Sequence, residues 1–180
     1  IYRADTSGPA IAWRFFAREL PQTFRKNITY FWIAFATFAV FAVASFYLSF
    51  YSATFSEYLG LDGIATAAQT EMRWWERLNS QNEIGASQIL TNNIQVSFLA
   101  FALGALFGVG TLYILSYNGL LIGGVVGVCY KNNPAFAMDL LTFMVGHGVV
   151  ELSCIFMAGG AGMMIGYALI NPGDLTRSQA

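Results

Sequence analysis

The chain has 180 residues, 56% of them hydrophobic and 11% charged, with 16 Phe, 9 Tyr and 4 Trp. Soluble domains carry about 25% charged residues, so lipid is expected to be part of the solvent, and the length suits a single membrane-embedded unit. A net charge of -1 gives no reason to expect nucleic acid, and Cys129 and Cys154, both in apolar surroundings, fit packing positions better than a disulfide framework or a C-x-x-C motif.

No basic region followed directly by an apolar run opens the chain, so it reads as a fragment of a longer protein. Residues 9–26 are predicted to form an amphipathic helix. Ile11, Ala12, Phe15, Phe16 and Leu20 share one face and Arg14 and Arg18 another; Pro9 suits a first turn and Pro21 is expected to end or kink the helix. Arg14, Arg18, Arg25 and Lys26 precede the first long apolar run, which places this side in the cytoplasm with the helix along anionic headgroups. Packing of the same helix on a further part of the protein would satisfy it equally well.

Residues 28–50 carry no charge, and at 1.5 Å per residue they reach across a hydrocarbon core of about 30 Å. Residues 51–92 turn polar and net acidic, as suits an extracytoplasmic loop. Within it Ile64, Ala68, Met72, Trp75 and Leu78 fall at helical spacing, and Trp74 and Trp75 read as membrane-surface anchors of an interfacial helix. Packing of that helix on its own bundle or on a partner is the competing expectation.

Asn92-Asn93 is suited to cap the next helix, and residues 94–116, again without charge, are predicted to span. They include Gly104 and Gly108, spaced so that helix backbones can approach closely in lipid. Residues 119–146 hold two short hydrophobic segments separated by Lys131-Asn132-Asn133-Pro134, with Gly119, Gly123 and Gly127 at four-residue spacing. Residues 149–170 are long enough to cross, with Gly159, Gly162 and Gly166 near one side, and Asn171-Pro172-Gly173 closes them. Two arrangements fit: residues 119–146 form a re-entrant pair of half-helices, or residues 119–133 cross and the last helix returns. An offset of 40 aligns Asn92-Asn93 with Asn132-Asn133, Gly108 with Gly148 and Gly119 with Gly159, too few identities to establish a repeat.

The only histidine, His147, stands four residues before Glu151 in this apolar third. On a continuous helix the two can touch, and an ionised carboxylate at the centre of a membrane costs about 2.5–3.5 kcal/mol on insertion scales. The pair therefore either relays a proton or cation at the foot of a glycine-lined cavity, or is structural, with Glu151 in the first turn of the last helix where a carboxylate meets free N–H groups. Asp139 pairs with Lys131 at the interface, or both join His147 and Glu151 around one cavity. One histidine and no His-Glu-x-x-His rule against a zinc hydrolase; no catalytic residue, metal or cofactor is expected.

Several stretches carry a resemblance. Phe16-Ala17-Arg18-Glu19-Leu20-Pro21-Gln22-Thr23-Phe24-Arg25, Asn93-Ile94-Gln95-Val96 through Leu103-Gly104, Gly108-x-Gly110-Thr111-Leu112, Asn118-Gly119-Leu120, His147-Gly148-Val149-Val150-Glu151-Leu152-Ser153, Ala158-Gly159-Gly160-Ala161-Gly162 and Pro172-Gly173 resemble the stage II sporulation protein M family of multi-pass bacterial membrane proteins. The resemblance implies further segments on both sides of this chain. For the family's eponym it implies a complex with peptidoglycan-degrading partners, and for other relatives a neighbourhood of AAA+ ATPases and von Willebrand factor A proteins.

The expected fold is thus an all-α, polytopic transmembrane helical bundle with short or re-entrant half-helices and interfacial amphipathic helices, homo-oligomeric, in the bacterial cytoplasmic (inner) membrane with its N-terminal side cytoplasmic. The expected function is that of a non-enzymatic membrane component of a larger assembly of the cell-envelope remodelling type. A channel or transporter using His147 and Glu151 as a relay is the alternative.

Overall fold

Without water to bond to, a backbone in lipid must satisfy its own polar groups, and helix does so within one segment. The computed structural model describes residues 8–76 and 82–171, and only the backbone at residues 82–89 and His147. Leu78, Pro172 and Gly173 lie outside the described residues. The described residues are helical apart from short links, and no strand occurs among them.

Helix α1 (Gly8–Arg14) passes through a π turn at Phe15–Glu19 into α2 (Leu20–Lys26). Pro21 neither ends nor breaks this rod. It lacks an N–H, and the wider turn just before it, in which the Leu20 N–H reaches the Phe15 carbonyl, absorbs the missing helical bond. Arg14 therefore meets Glu19 at five-residue spacing, 2.9 Å apart. Asn27 (φ −113°, ψ 22°) then leaves helical geometry, and α3 (Ile28–Tyr51) begins.

After α3 come two short helices, α4 (Ala53–Tyr58) and α5 (Asp62–Gln69), and a further helical turn at residues 74–76. Helix α6 covers Asn82–Ala102. A 3-10 turn at Leu103–Ala105 leads into Phe107 (φ 54°) and Gly108 (φ 80°), and α7 runs over Val109–Asn132. The expected span at 94–116 is thus divided. Two successive left-handed residues turn the chain, and Gly108 adopts that conformation without the steric cost a side chain would bring.

Of the two arrangements open for residues 119–146, the half-helix pair is not the one found. Residues 119–132 complete α7, and α8 extends unbroken from Pro134 to Ile170. Only Asn133 intervenes, extended at φ −156°, accepting the Phe136 N–H on its side chain (3.1 Å) with Pro134 in the first turn. The 37 residues of α8 make about 55 Å of helix, well beyond a hydrocarbon core, and its Gly148–Ile170 portion is the part apolar enough to span. Among the described residues three helical stretches meet that standard: Ile28–Tyr51, Val109–Asn132 and Gly148–Ile170.

Directions follow from contacts. Gly119, Gly123 and Gly127 face Phe38, Ala42 and Phe46 in the same order, so α3 and α7 are parallel. Gly159, Gly162 and Gly166 face Leu115, Thr111 and Gly108 in turn, so α8 returns antiparallel. Asn93 meets Glu151, and Ala100 meets Gly162; α6 therefore runs parallel to α8. The alternation puts a core of Ala34, Phe38, Leu115, Ile155, Phe156 and Met163 between α3, α7 and α8. Tyr30 and Tyr167 pair at one end, and Phe46, Phe50 and Tyr130 cluster at the other, in the manner of interfacial aromatic belts.

Candidate functional site

Glu151 lies well inside α8, because that helix starts at Pro134. No free N–H group of a helix start is near it, so it does not cap the last helix. Its partner is instead Asn93, whose Nδ2 donates to Glu151 Oε2. Asn93 is likewise not a cap: α6 begins at Asn82, which leaves Asn93 inside the helix. A carboxylate offers about four lone-pair sites, and among the described residues Asn93 is the one side chain bonded to this one.

Beside the pair opens a cleft of about 350 Å³ between α6, α7 and α8, lined by Asn93, Ile122, Met144, Gly148, Glu151 and Leu152 among others. Its floor is closed. Ile122 and Leu152 pack directly on the core cluster around Leu115 and Ile155. Its rim is apolar and open, with Val145 and Val149 each more than 60% exposed. The pair thus sits at the edge of a greasy recess that ends within the bundle.

His147 occupies the same face of α8 one turn before Glu151, by helical spacing; its side chain lies outside the described residues. Asp139 does not pair with Lys131. The segment after α5 folds across the α7–α8 junction and delivers Arg73, which bridges Asp139 and, at 3.1 Å, Glu76. Lys131 is exposed and makes no ion pair among the described residues. Asp139 therefore belongs to this cap, and neither it nor Lys131 lines the cleft at Glu151. The hydrogen bond to Glu76, and then the charge of Asp139, push the Arg73 guanidinium further above its usual pKa.

The same cap decides the tryptophans. Trp75 is only 5% exposed and packs with Ala68, Phe136 and Leu140, with Trp74 against Phe136. They close the bundle end, with Trp75 inside it and not on a surface. Gln69 donates to Asn132 (2.8 Å) and Asn133 to Glu71 (3.2 Å), which completes the seal. Met72, from the same predicted stripe, is exposed, because Glu71 (φ 54°) breaks the helix after α5.

The glycines divide by what a side chain would meet. A Cβ on Gly119, Gly123 or Gly127 would lie 2.4, 2.0 or 2.4 Å from a carbonyl oxygen of α3. On Gly104 and Gly162 it would strike the Gly162 and Ala100 carbonyls at 2.1 and 2.4 Å, and on Gly166 the Gly108 nitrogen at 2.3 Å. On Gly159 its nearest neighbours would be atoms of the Leu115 side chain, from 3.1 Å. Gly104 and Gly108 do not share one continuous helix, because the chain turns between them, yet both pack on α8, Gly104 at Gly162 and Gly108 at Gly166. Arg14, Arg18, Arg25 and Lys26 are all exposed on the N-terminal rod.

Asn93, read from the sequence as a helix cap, and Arg73 are the two residues that the sequence reading did not assign to the site. A signal existed for Asn93: an amide within a charge-free helical run needs a partner in lipid. Arg73 had none, since its partner Asp139 is 66 positions away.

An all-helical bundle with three membrane-length apolar helices and a polar pair at their seam defines an integral membrane protein. Residues 28–180 match the Stage II sporulation protein M family, and the chain belongs to it. A curated relative, an uncharacterized protein of Methanocaldococcus jannaschii, is 36% identical over 81 residues. That match covers 44% of this chain and 44% of the relative. No solved structure matches.

Proposed function

We propose that the protein is a non-enzymatic membrane subunit of a larger assembly, and that the cleft at Asn93 and Glu151 receives a transmembrane helix of another protein. One observation carries this: a carboxylate that is bonded, among the described residues, to a single amide faces an apolar recess with an open rim and a closed floor. Unused acceptor capacity in lipid is unfavourable, and a helix bringing a hydroxyl, amide or cationic donor would satisfy it while covering Val145 and Val149. The basic flank at Arg14, Arg18, Arg25 and Lys26 supports a cytoplasmic-membrane location with the N-terminal side inside, and the alternating helices support a multi-pass topology. Resemblance suggests envelope-remodelling or AAA+/von Willebrand A proteins as the larger assembly, with self-association as a further contact.

The rival is a proton or ion relay through His147 and Glu151. Its support is the same carboxylate; against it stands the packed layer of Leu115, Ile155 and Phe156 beneath.

A photoreactive residue at Val149 tests the proposal in native membranes. A discrete protein adduct that disappears in Glu151→Ala is expected. Adducts only to lipid, together with liposome proton flux abolished by Glu151→Gln, would sink the assembly reading in favour of the relay.

A further inference from the structure

Helices α4 and α5 do not stand clear of the bundle. Ser56, in α4, shares its hydroxyl between the Ser52 and Ser49 carbonyls at 3.3 Å, so α4 turns back along α3. A Cβ on Gly124 would meet Leu59 at 2.8 Å, Leu61 at 3.0 Å and the Ser45 hydroxyl at 3.1 Å, which puts the bend between α4 and α5 level with Gly124 and Ser45. From there α5 climbs along α7: Ala68 shares a buried cluster with Cys129, and Gln69 bonds to Asn132. The two helices thus form a hairpin in the α3–α7 seam, with its tip at residues 59–62. Tyr130, in the aromatic cluster at this end of the bundle, is six residues beyond Gly124. The tip therefore lies about 9 Å inside that cluster, toward the membrane.

At that depth the tip is polar. Glu57, Tyr58 and Asp62 are exposed, and the two carboxylates make no ion pair among the described residues. Charged groups at membrane depth are costly, and a bilayer accommodates them by thinning or by admitting water. Tyr117 and Tyr113 precede Gly124 by seven and eleven residues, which puts them on the same face of α7; both are exposed, and their rings stack at 6.3 Å. Tyrosine is at home in the headgroup layer. On this flank α7 offers about 22 Å of helix from Val109 to Gly124 before the polar tip, against about 36 Å for the unbroken span Ile28–Tyr51 and a hydrocarbon core of about 30 Å. We propose that the bilayer is locally thinned along this flank, with headgroups and water drawn down to Glu57, Tyr58 and Asp62. The partner is lipid irrespective of headgroup charge, since a mismatch in length acts on the hydrocarbon layer. The flank is separate from the Glu151 cleft, because Gly124 and Ile122, two residues apart, face opposite sides of α7.

Two cysteines at one level compare the two flanks. Tyr58, 86% exposed, adjoins the tip, and Val43, 57% exposed, is two residues from Ser45 and so on the opposite face of α3. Each is changed to cysteine in a Cys154→Ala chain that keeps the buried Cys129. The proteins are placed in dioleoyl phosphatidylcholine liposomes with a charged, membrane-impermeant maleimide on both sides. Tyr58→Cys should react at least about tenfold faster than Val43→Cys, because hydrocarbon excludes a charged reagent, while the two react alike in sodium dodecyl sulfate. Adding Glu57→Leu and Asp62→Leu should bring the Tyr58→Cys rate down to that of Val43→Cys. Equal protection of both cysteines would mean a bilayer of ordinary thickness at the hairpin, and equally fast reaction of both would put that level outside the bilayer on every side; either result overturns the proposal. So does a Tyr58→Cys rate indifferent to the loss of both carboxylates. The comparison of Tyr58→Cys with Val43→Cys decides the matter even if the added leucines disturb the fold.

Discussion

Helix α7 has two very different neighbours. Toward α3 it offers Gly119, Gly123 and Gly127, and the carbonyls of Phe38, Ala42 and Phe46 press against them with no room for a single carbon. Ser45 adds a hydroxyl bond to the Leu120 carbonyl at 2.6 Å. Toward α6 and α8 it offers Ile122 to a cleft whose other wall carries Asn93 and Glu151. The first seam is sealed backbone to backbone. The second is tight only at one end, where Thr111 donates to the Ala100 carbonyl at 2.6 Å and Gly162 meets the same carbonyl; toward the Asn93–Glu151 bond a recess remains. In lipid, where helices associate by close fit and not by exclusion of water, the first seam serves as the rigid part, and the second is where another molecule can enter.

The largest effect should come from breaking the first seam. Gly123→Ala puts a Cβ 2.0 Å from the Ala42 carbonyl oxygen, and backbone cannot yield as a side chain does. A loss of about 1–3 kcal/mol or more is expected, read from reversible unfolding in mixed micelles. A wild-type midpoint for this variant would show that α3 and α7 are not packed as described.

Asn93→Ala and Glu151→Ala probe the second seam. Each should cost about 0.6 kcal/mol and at most about 1.7, the span measured for side-chain bonds between membrane helices. The double variant should cost no more than the worse single one, since both remove the same bond. Strict additivity would mean that the two side chains stabilise the bundle separately.

Gly146→Ala sharpens the contrast by reversing its sign. Nothing lies within 4 Å of a Cβ there, and Gly146 is inside α8, so alanine should stabilise by about 0.5–1 kcal/mol. A loss would point to a break in α8 at the Gly146-His147-Gly148 stretch. The smallest effect is expected from Arg73→Ala, whose contacts to Asp139 and Glu76 are solvent-exposed. It should be visible only at low salt, as a slight loosening of the cap monitored by tryptophan fluorescence. The raised pKa of Arg73 adds no pH dependence in the working range, because its contribution is fully present below the unfolded value and is lost only above it.

Sequence alone determined much of this protein. A run such as Ile28 to Phe50, free of charge and of membrane length, has few choices besides a helix, since backbone in lipid must bond to itself. The four-residue spacing of Gly119, Gly123 and Gly127 marked a close-packing face, and the motifs around Gly104, Gly119 and His147-Gly148 carried the family. Local rules also found the break at Asn133-Pro134. They failed at Gly146 to Gly148, where helix-weakening residues were expected to start a new helix. Glycine lowers helix preference by only about 1 kcal/mol, and neighbouring turns held together by their own hydrogen bonds override it.

Tertiary structure alone decided which groups meet. Glu151 was legible as an ionisable group in an apolar helix, but its partnership with Asn93 depends on the register of α6 against α8. Asp139 could be matched with Lys131 by proximity in sequence, yet Arg73 reaches it because the cap folds over the α7–α8 junction. Trp75 had the spacing of an interfacial helix, and only that same fold put it inside. The difference is physical. Helix formation and membrane length are set by each segment's own backbone and solvent, whereas pairing depends on how two helices are rotated and shifted against each other, which the backbone contacts of the glycine seams fix across distant parts of the chain.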